Sequence, residues 1–246
     1  MDRKIRVGAV SYLNTKPLIY GFEKGMMKNQ VELSYDYPAN IAGMLLRDQI
    51  DIGLIPVAVI PKLQQYHIIS SYCIGCEAEV ASVCLFSETP INDVRSIMLD
   101  YQSRTSVALL KILLKEHWKI SPELIDTSEG YENNIGGDVA ALVIGDRALT
   151  QRKKSAYIYD LGTAWKEMTG LPFVFAAWIA NKKLDKDFIK NFDETTGSGM
   201  QHIDSIVTSN YFPDYSLHTY YTKNISYHLN EEKRKGLELF LKKLTV

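Results

Sequence analysis

The chain of 246 residues predicts an α/β fold in two lobes, with largely parallel sheets. Three observations predict it. Short apolar runs alternate with helical patterns throughout, as they do in βαβ units. Two of the apolar runs, 80–87 and 173–180, are long and enclose a block of such units. No repeat, low-complexity tract or flexible linker interrupts the pattern, so the second lobe is expected to be inserted into the first.

The predicted strands are short apolar runs bounded by turn formers. They are 5–10, 31–37, 50–55, 68–74, 80–87, 97–100, 124–127, 139–144 and 173–180. The predicted helices have start and stop signals of their own, such as Asn40, Pro56 and Asn230 at the start and Gly170 at the end. They are 40–47, 56–65, 105–118, a short one from 145, 161–168, 185–208 with a kink at 195–199, and 230–244.

The two long strands are expected to cross between the lobes. The first lobe then comprises residues 1–87 and 181–246, and the second lobe comprises residues 88–180. Two extended crossings between two lobes form a hinge, and a ligand cleft is expected between the lobes.

Composition limits the classes of function. The chain is 46% apolar and 23% charged, which is ordinary for a globular protein. Its 28 basic and 29 acidic residues give a net charge of −1, which argues against nucleic acid as a partner. The first apolar run is too short for an export signal, and no run approaches the roughly 20 residues that span a bilayer. We therefore expect a cytoplasmic protein without a membrane partner.

The sequence shows no pattern for metal or redox chemistry. Cys73 and Cys76 form a C-x-x-C within a strand pattern, with neither a second such pair nor a histidine pair nearby. Structural cysteines are the favoured interpretation, and no metal is predicted. Ser82 lies in the crossing strand without the G-x-S-x-G pattern of a hydrolase, so a nucleophilic role there is not expected.

Polar residues follow the first strand at a point where ligands often bind. Tyr12, Asn14, Thr15 and Lys16 lie within five residues, before Pro17 begins a helix. The carboxyl ends of strands in open α/β sheets commonly bind small ligands. The alternative is an ordinary strand-to-helix corner in which Thr15 caps the helix and Lys16 is solvated.

A second polar group begins the helix 105–118. Ser103, Arg104, Thr105 and Ser106 combine hydroxyls and a guanidinium with the free N–H groups of a helix start. Such a start attracts carboxylates or phosphates. The alternative is a simple Ser/Thr cap.

A third polar pair ends the strand 139–144. Gly145 allows close approach of the backbone, and Asp146 can cap the short helix that follows. Taken alone, this pair is typical of an ordinary strand–glycine–helix corner.

Four segments resemble the chorismate dehydratases of the futalosine route to menaquinone, in that family's order and spacing. They are Ser-Tyr-Leu-Asn-Thr-Lys-Pro-Leu at 11–18, Ser-Arg-Thr-Ser-Val at 103–107, Ile-Gly-Asp at 144–146, and the block from Trp165 to Ala176. That block, W-K-x-x-T-G-L-P-F-V-F-A, is long and highly specific. The resemblance runs from Arg6 to the last helix and implies a type II periplasmic-binding-protein fold.

The resemblance also implies a reaction: loss of water from chorismate to give 3-[(1-carboxyvinyl)oxy]benzoate, without a cofactor. It implies that Asn14 and Ser82 are the catalytic residues. The residues expected to bind substrate are Tyr12, Ser103, Arg104, Thr105, Ser106, Gly145 and Asp146. One departure lies at 76–79, where the family usually has glycine or proline and this chain reads Cys-Glu-Ala-Glu.

Three alternatives stay open at this point. The chain could be a binding protein for a small carboxylate, either intracellular or as a transporter's solute receptor, although an export signal is missing. It could be the sibling dihydroxynaphthoate synthase, which shares the fold but, in our interpretation, lacks the Tyr-Leu-Asn-Thr-Lys-Pro and Ser-Arg-Thr-Ser patterns. It could be the ligand-sensing domain of a regulator, although no DNA-binding helices precede it. The sequence leaves the oligomeric state open.

Overall fold

The computed structural model describes residues 3–245, in which eleven strands form two sheets. The strands are β1 (Ile5–Val10), β2 (Val31–Asp36), β3 (Ile52–Pro56), β4 (His67–Cys76), β5 (Val83–Ser87), β6 (Ser96–Leu99), β7 (Glu123–Asp126), β8 (Val139–Ile144), β9 (Tyr157–Asp160), β10 (Phe173–Ala180) and β11 (Ser226–His228). The first sheet has the order β11-β4-β10-β3-β1-β2, and the second has the order β7-β6-β8-β5-β9.

Helices flank both sheets, as the alternating pattern predicts. They are α1 (Lys16–Glu23), α2 (Pro38–Leu46), α3 (Thr105–Leu113), α4 (Asp146–Gln151), α5 (Leu161–Thr169), α6 (Lys186–Gly197), α7 (Ile203–Ser209), α8 (Leu217–Thr219) and α9 (Glu231–Lys243). Two predicted helix ends are confirmed. The side chain of Asn230 caps α9 by accepting the Lys233 N–H at 2.9 Å, and Gly170 ends α5 with a φ of 74°.

Both sheets are mixed, which differs from the largely parallel sheets expected. β1 pairs in parallel with β2 and β3, and β6 does so with β7 and β8. β10 runs antiparallel to β3 and β4, and β5 runs antiparallel to β8 and β9. β5 and β10 are each the first strand after a passage between the sheets, and each runs opposite to its neighbours. β11 also runs antiparallel to its partner, β4.

The two long apolar strands lie in the sheets opposite to those expected. β5 belongs to the second sheet and β10 to the first, so the chain passes between sheets at 77–82 and again after β9. Both strands are buried along their whole length, so their apolar pattern does not indicate which sheet they join. The division into lobes at residues 88 and 180 stays a prediction. That division assigns β5 to the first lobe and β10 to the second, whereas β5 pairs in the second sheet and β10 in the first.

Several element boundaries differ from the predictions for local reasons. Pro38, not Asn40, begins α2, and the Asn40 side chain donates to Asp36 Oδ1 at 2.9 Å from inside the helix. The predicted helix 56–65 is a 3₁₀ helix, Val57–Lys62, with Pro61 inside it. The helix from 105 continues beyond α3 as a π turn, Leu114–Trp118. The expected kink is confirmed by a 3₁₀ turn between α6 and α7. The short strands β9 and β11 were not predicted.

The specific block from Trp165 to Ala176 contributes mainly to the core. Trp165 and Phe173 are nearly fully buried, and their ring centroids lie 5.2 Å apart. Phe240 of α9 packs on both rings, at 6.2 and 5.0 Å. Gly236 lets α9 approach, because a Cβ there would lie 2.2 Å from the carbonyl oxygen of Pro172. This aromatic cluster joins the C-terminal helix to the first sheet.

The cysteines are free thiols in the core. Cys73, Cys76 and Cys84 are all buried, and burial raises the pKa of the Cys73 thiol to about 12. Protonated, buried thiols fit the structural interpretation. Across residues 3–245, no helix combines the length and apolar character needed to cross a bilayer.

Candidate active site

A small cavity of about 60 Å³ lies between the two sheets. Its walls are mostly apolar and come from both sheets. Its polar lining residues are Tyr12, Asn14, Ser103, Thr105 and Ser106. The polar loops predicted from separate parts of the sequence therefore meet at one place, with few polar groups on apolar walls, as is typical of small-molecule sites.

Asn14 lies in a short 3₁₀ turn, Leu13–Thr15, between β1 and α1. The residue is buried, and its carbonyl oxygen accepts the phenol of Tyr227 at 3.0 Å. Its side-chain oxygen accepts the Thr15 hydroxyl at 3.3 Å. Thr15 is thus a partner of Asn14 and does not cap α1 with its side chain.

Ser82 is fully buried and lies immediately before β5. Its hydroxyl oxygen accepts a hydrogen bond from the phenol of Tyr220 at 2.7 Å. The preceding residue, Ala81, has a φ of 62°, the left-handed conformation that disfavours residues with a Cβ. Ser82 therefore follows a strained turn.

The carboxylate of Asp160 holds that turn. It accepts the N–H groups of Val80 at 3.1 Å and Ala81 at 2.8 Å. It also caps α5 by accepting the N–H groups of Gly162 at 2.9 Å and Thr163 at 3.1 Å. Burial raises the pKa of Asp160, whereas these backbone hydrogen bonds lower it. One buried side chain thus joins the segment before Ser82 to the start of a helix.

Tyr12 reaches from the first sheet to a polar network of the second. Its phenol donates to Gln102 Oε1, which also accepts from Arg147 at 3.2 Å. Arg147 forms an ion pair with the buried carboxylate of Asp100 at 2.8 Å, and Tyr131 donates to the same carboxylate at 2.6 Å. Burial raises the pKa of Tyr12, so its phenol stays a proton donor near neutral pH.

The start of α3 contributes three of its four predicted residues to the cavity. Ser103 Oγ accepts the Ser106 N–H at 3.0 Å, and Thr105 Oγ1 accepts the N–H of Ala58 across the cleft at 3.1 Å. Arg104 is exposed and lines an adjoining open groove of about 880 Å³ instead. The structure thus brings Ser103, Thr105 and Ser106 together with Asn14 but leaves Arg104 outside the cavity.

Gly145 and Asp146 contact the first loop directly. Gly145 has a φ of 66°, and a Cβ there would lie 3.2 Å from the ring of Tyr12, so the close approach predicted for this glycine is to a tyrosine. Asp146 does not cap α4; its Oδ1 accepts the N–H of Leu13 at 3.2 Å. Burial raises the pKa of Asp146 to about 6. The expectation of a cap was wrong because the carboxylate accepts the Leu13 N–H, from the turn after β1 of the other sheet, instead of an N–H of its own helix.

Solved structures support the fold that these elements form. A protein of Archaeoglobus fulgidus is 14% identical, with a TM-score of 0.76 over 98% of this chain and 96% of that one. A Candida albicans protein described as having the generic periplasmic-binding-protein fold is also 14% identical, with a TM-score of 0.65 over 99% of this chain and 90% of that one. The predicted periplasmic-binding-protein-like fold is confirmed.

A family described as menaquinone biosynthesis matches residues 5–245. The chain belongs to this family. Two curated relatives carry the name chorismate dehydratase. The Thermus thermophilus protein is 27% identical over 231 residues, 84% of each chain. The Campylobacter jejuni protein is 27% identical over 248 residues, 96% of this chain and 95% of that one. The resemblance found in the sequence is confirmed.

In this member of the menaquinone biosynthesis family, ion pairs hold the segment Cys-Glu-Ala-Glu at 76–79 in place. Glu77 accepts from the buried ammonium of Lys233 on α9 at 2.6 Å. Glu79 pairs with Arg152 at 2.7 Å. The two carboxylates thus anchor the passage that leads to Ser82.

Three residues that contact the site were missed from the sequence: Tyr220, Tyr227 and Asp160. The segment around the tyrosines has no clear periodicity, so no element was predicted there. Asp160 does have a signal, since an aspartate directly before a predicted helix is a common N-cap. Its second role, on the turn before Ser82, has no local signal.

Proposed function

We propose that the protein is a chorismate dehydratase, a lyase of menaquinone biosynthesis that converts chorismate into 3-[(1-carboxyvinyl)oxy]benzoate and water. The observation that carries this proposal is the meeting of Asn14 with the serine-rich start of α3 in one cavity between the sheets. The names of the two relatives support the choice of substrate.

The reaction requires no oxidation or reduction. A ring C–H bond breaks, the ring hydroxyl leaves, and the electron pair of the broken C–H bond completes the aromatic ring. The proton and the hydroxide leave as water. We propose that the enolpyruvyl carboxylate of the substrate accepts the proton, and the protein then contributes position and electrostatic stabilisation.

The residues of the cavity suit these tasks. Asn14 can hydrogen-bond the departing hydroxyl or orient the enolpyruvyl group. The hydroxyls of Ser103 and Ser106, at the amino end of α3, suit a carboxylate because a helix start carries partial positive charge. Ser82 is fully buried and does not itself line the cavity, although the next residue, Val83, does. We propose that Ser82 holds the carboxylate that takes the proton, once the sheets have separated.

The cavity is smaller than such a substrate needs. Its volume is about 60 Å³, whereas small-molecule pockets are roughly 300–1,000 Å³. We therefore propose that the two sheets separate when the substrate binds. The polar contacts that hold them here include Tyr12 to Gln102, Leu13 to Asp146 and Ala58 to Thr105. Closure over the substrate would exclude water and strengthen the contacts made inside.

The test uses purified protein, chorismate, ultraviolet absorbance and mass spectrometry. We expect the wild-type protein to form a species lighter by one water, and Asn14→Ala to lower kcat by about 10²–10³-fold, as the loss of one stabilising donor does elsewhere. The exposed Asn29→Ala is the matched control and should retain full activity.

Each other outcome has a defined meaning. Undiminished turnover by Asn14→Ala would remove Asn14 from the mechanism. Absence of product with the wild-type protein would overturn the function. Tight binding of chorismate without turnover would then indicate a carboxylate-binding protein, and turnover of cyclic dehypoxanthine futalosine would indicate the sibling synthase.

A further inference from the structure

Tyr220 lies beside both residues predicted to be catalytic. Its phenol donates to Ser82 Oγ at 2.7 Å, and the residue is fully buried. Burial raises the pKa of Tyr220 well above its ordinary value, whereas the neighbouring polar side chains of Ser82 and Asn14 lower it in part. The phenol therefore stays protonated near neutral pH, and it donates to Ser82.

A donating phenol determines what Ser82 can do. A serine hydroxyl has one proton and two lone pairs, so accepting from Tyr220 leaves the serine proton for another acceptor. Among residues 3–245, the hydrogen bonds of Ser82 Oγ include no such acceptor. The proton of Ser82 is thus not held by an acceptor in the described part of the chain. Ser82 is fully buried and does not line the cavity, so on the proposed function an anion reaches it when the two sheets separate.

The surrounding segment fixes the position of Tyr220. The residue begins a π turn, Tyr220–Asn224, directly after α8, whose start is capped by Ser216. Its ring packs edge-on against Tyr215 at 6.3 Å and beside Tyr221 at 5.7 Å. A buried ring held on two sides has little rotational freedom, so its hydroxyl is a fixed reference point for Ser82.

We propose that Tyr220 is a positioning residue for the dehydration: it fixes the Ser82 hydroxyl so that this hydroxyl donates to the substrate carboxylate that accepts the ring proton. The inference rests on the proposed function. Tyr220 itself transfers no proton and forms no bond to the substrate. Its effect is to hold the accepting carboxylate in a reactive orientation, which alters kcat more than substrate binding.

The primary test compares Tyr220→Phe with Tyr215→Phe. Both variants keep the ring and lose one phenol hydrogen bond, and the phenol of Tyr215 donates to Asn224 Oδ1 at 3.0 Å rather than to Ser82. We expect Tyr220→Phe to lower kcat by about 10- to 100-fold with KM within about threefold, because small errors of orientation have effects of that order. Tyr215→Phe should keep the wild-type kcat.

A double-mutant cycle separates positioning from a general loss of structure. If Tyr220 acts through Ser82, Tyr220→Phe should lower kcat in the wild-type background but not in the Ser82→Ala background. Unfolding in urea, measured in parallel, shows whether each variant is folded under the assay conditions. Equal losses of kcat in both backgrounds, or equal kcat for Tyr220→Phe and Tyr215→Phe, would overturn the inference. Failure of the wild-type protein to dehydrate chorismate would instead overturn the proposed function.

Discussion

The segments that carry Asn14 and Ser82 reach the cleft in different ways. Asn14 lies in a 3₁₀ turn that leads directly into α1, and Lys16 begins that helix in the right-handed conformation. Ser82 follows Ala81, whose φ of 62° is left-handed. A left-handed residue with a Cβ costs about 1–2 kcal/mol. The first segment is an ordinary strand-to-helix corner, and the second exists because other parts of the chain hold it.

The contacts around the two segments explain this difference. Leu13 gives one N–H to Asp146, whereas Val80 and Ala81 both give theirs to the buried Asp160. A strained backbone persists only where its surroundings over-determine it. The comparison teaches that the Ser82 segment needs a distant carboxylate to hold a strained turn. The Asn14 segment makes its distant contacts, to Asp146 and Tyr227, from an unstrained backbone.

The largest expected effect tests the support of the Ser82 segment. Asp160→Ala leaves four backbone N–H groups without their acceptor, and unsatisfied buried donors cost about 1–3 kcal/mol each. We expect the free energy of unfolding, measured in urea, to fall by about 3 kcal/mol or more. Asp185→Ala is the matched control, because Asp185 caps α6 through two N–H groups but touches no strained turn. Its loss should be about 1 kcal/mol. Equal losses would contradict the comparison.

An intermediate effect on the free energy of unfolding is expected from Asp146, which holds the segment that carries Asn14, and this effect depends on pH. The pKa of Asp146 is raised to about 6, so its protonated form favours the closed, folded state. The stabilisation is complete below the ordinary pKa of about 4 and is lost as the pH rises through about 6. The free energy of unfolding should thus fall by about 2 kcal/mol between about pH 4 and about pH 7 from this group.

Asp146→Asn should remove that part of the pH dependence, as measured by urea unfolding at several pH values. Asp204→Asn, whose native side chain is 95% exposed, should leave it unchanged. An unaltered pH profile in Asp146→Asn would show that this carboxylate is not desolvated in the folded protein.

The smallest effect concerns the strain itself. Ala81→Gly relieves the left-handed conformation and should raise the free energy of unfolding by up to about 1 kcal/mol. The same substitution within α3, Ala108→Gly, should lower it by about 1 kcal/mol. A gain in the free energy of unfolding for Ala81→Gly together with a loss for Ala108→Gly would support strain at Ala81. A loss in both variants would argue against it.

Local signals made part of this molecule predictable. The loop with Asn14, the polar start of α3, the cap at Asn230 and the end of α5 at Gly170 all depend on residues close in sequence. The alternation of elements predicted two sheets for the same reason.

Contacts between distant residues account for what was missed. Tyr220 and Ser82 are 138 positions apart, so nothing near either residue indicates their hydrogen bond. Arg104 was expected in the site because its neighbours are there, but its side chain lies on the groove side of the helix start. The sheets of β5 and β10 depend on pairing partners that an apolar pattern does not specify.

The small volume between the sheets has a kinetic consequence. A space of about 60 Å³ has room for roughly two water molecules at their share of the liquid volume. For the substrate proposed above, entry into this space would require the two sheets to move apart. At high concentration of that substrate, the proposed function predicts that the rate of uptake is set by the separation of the sheets and no longer by diffusion.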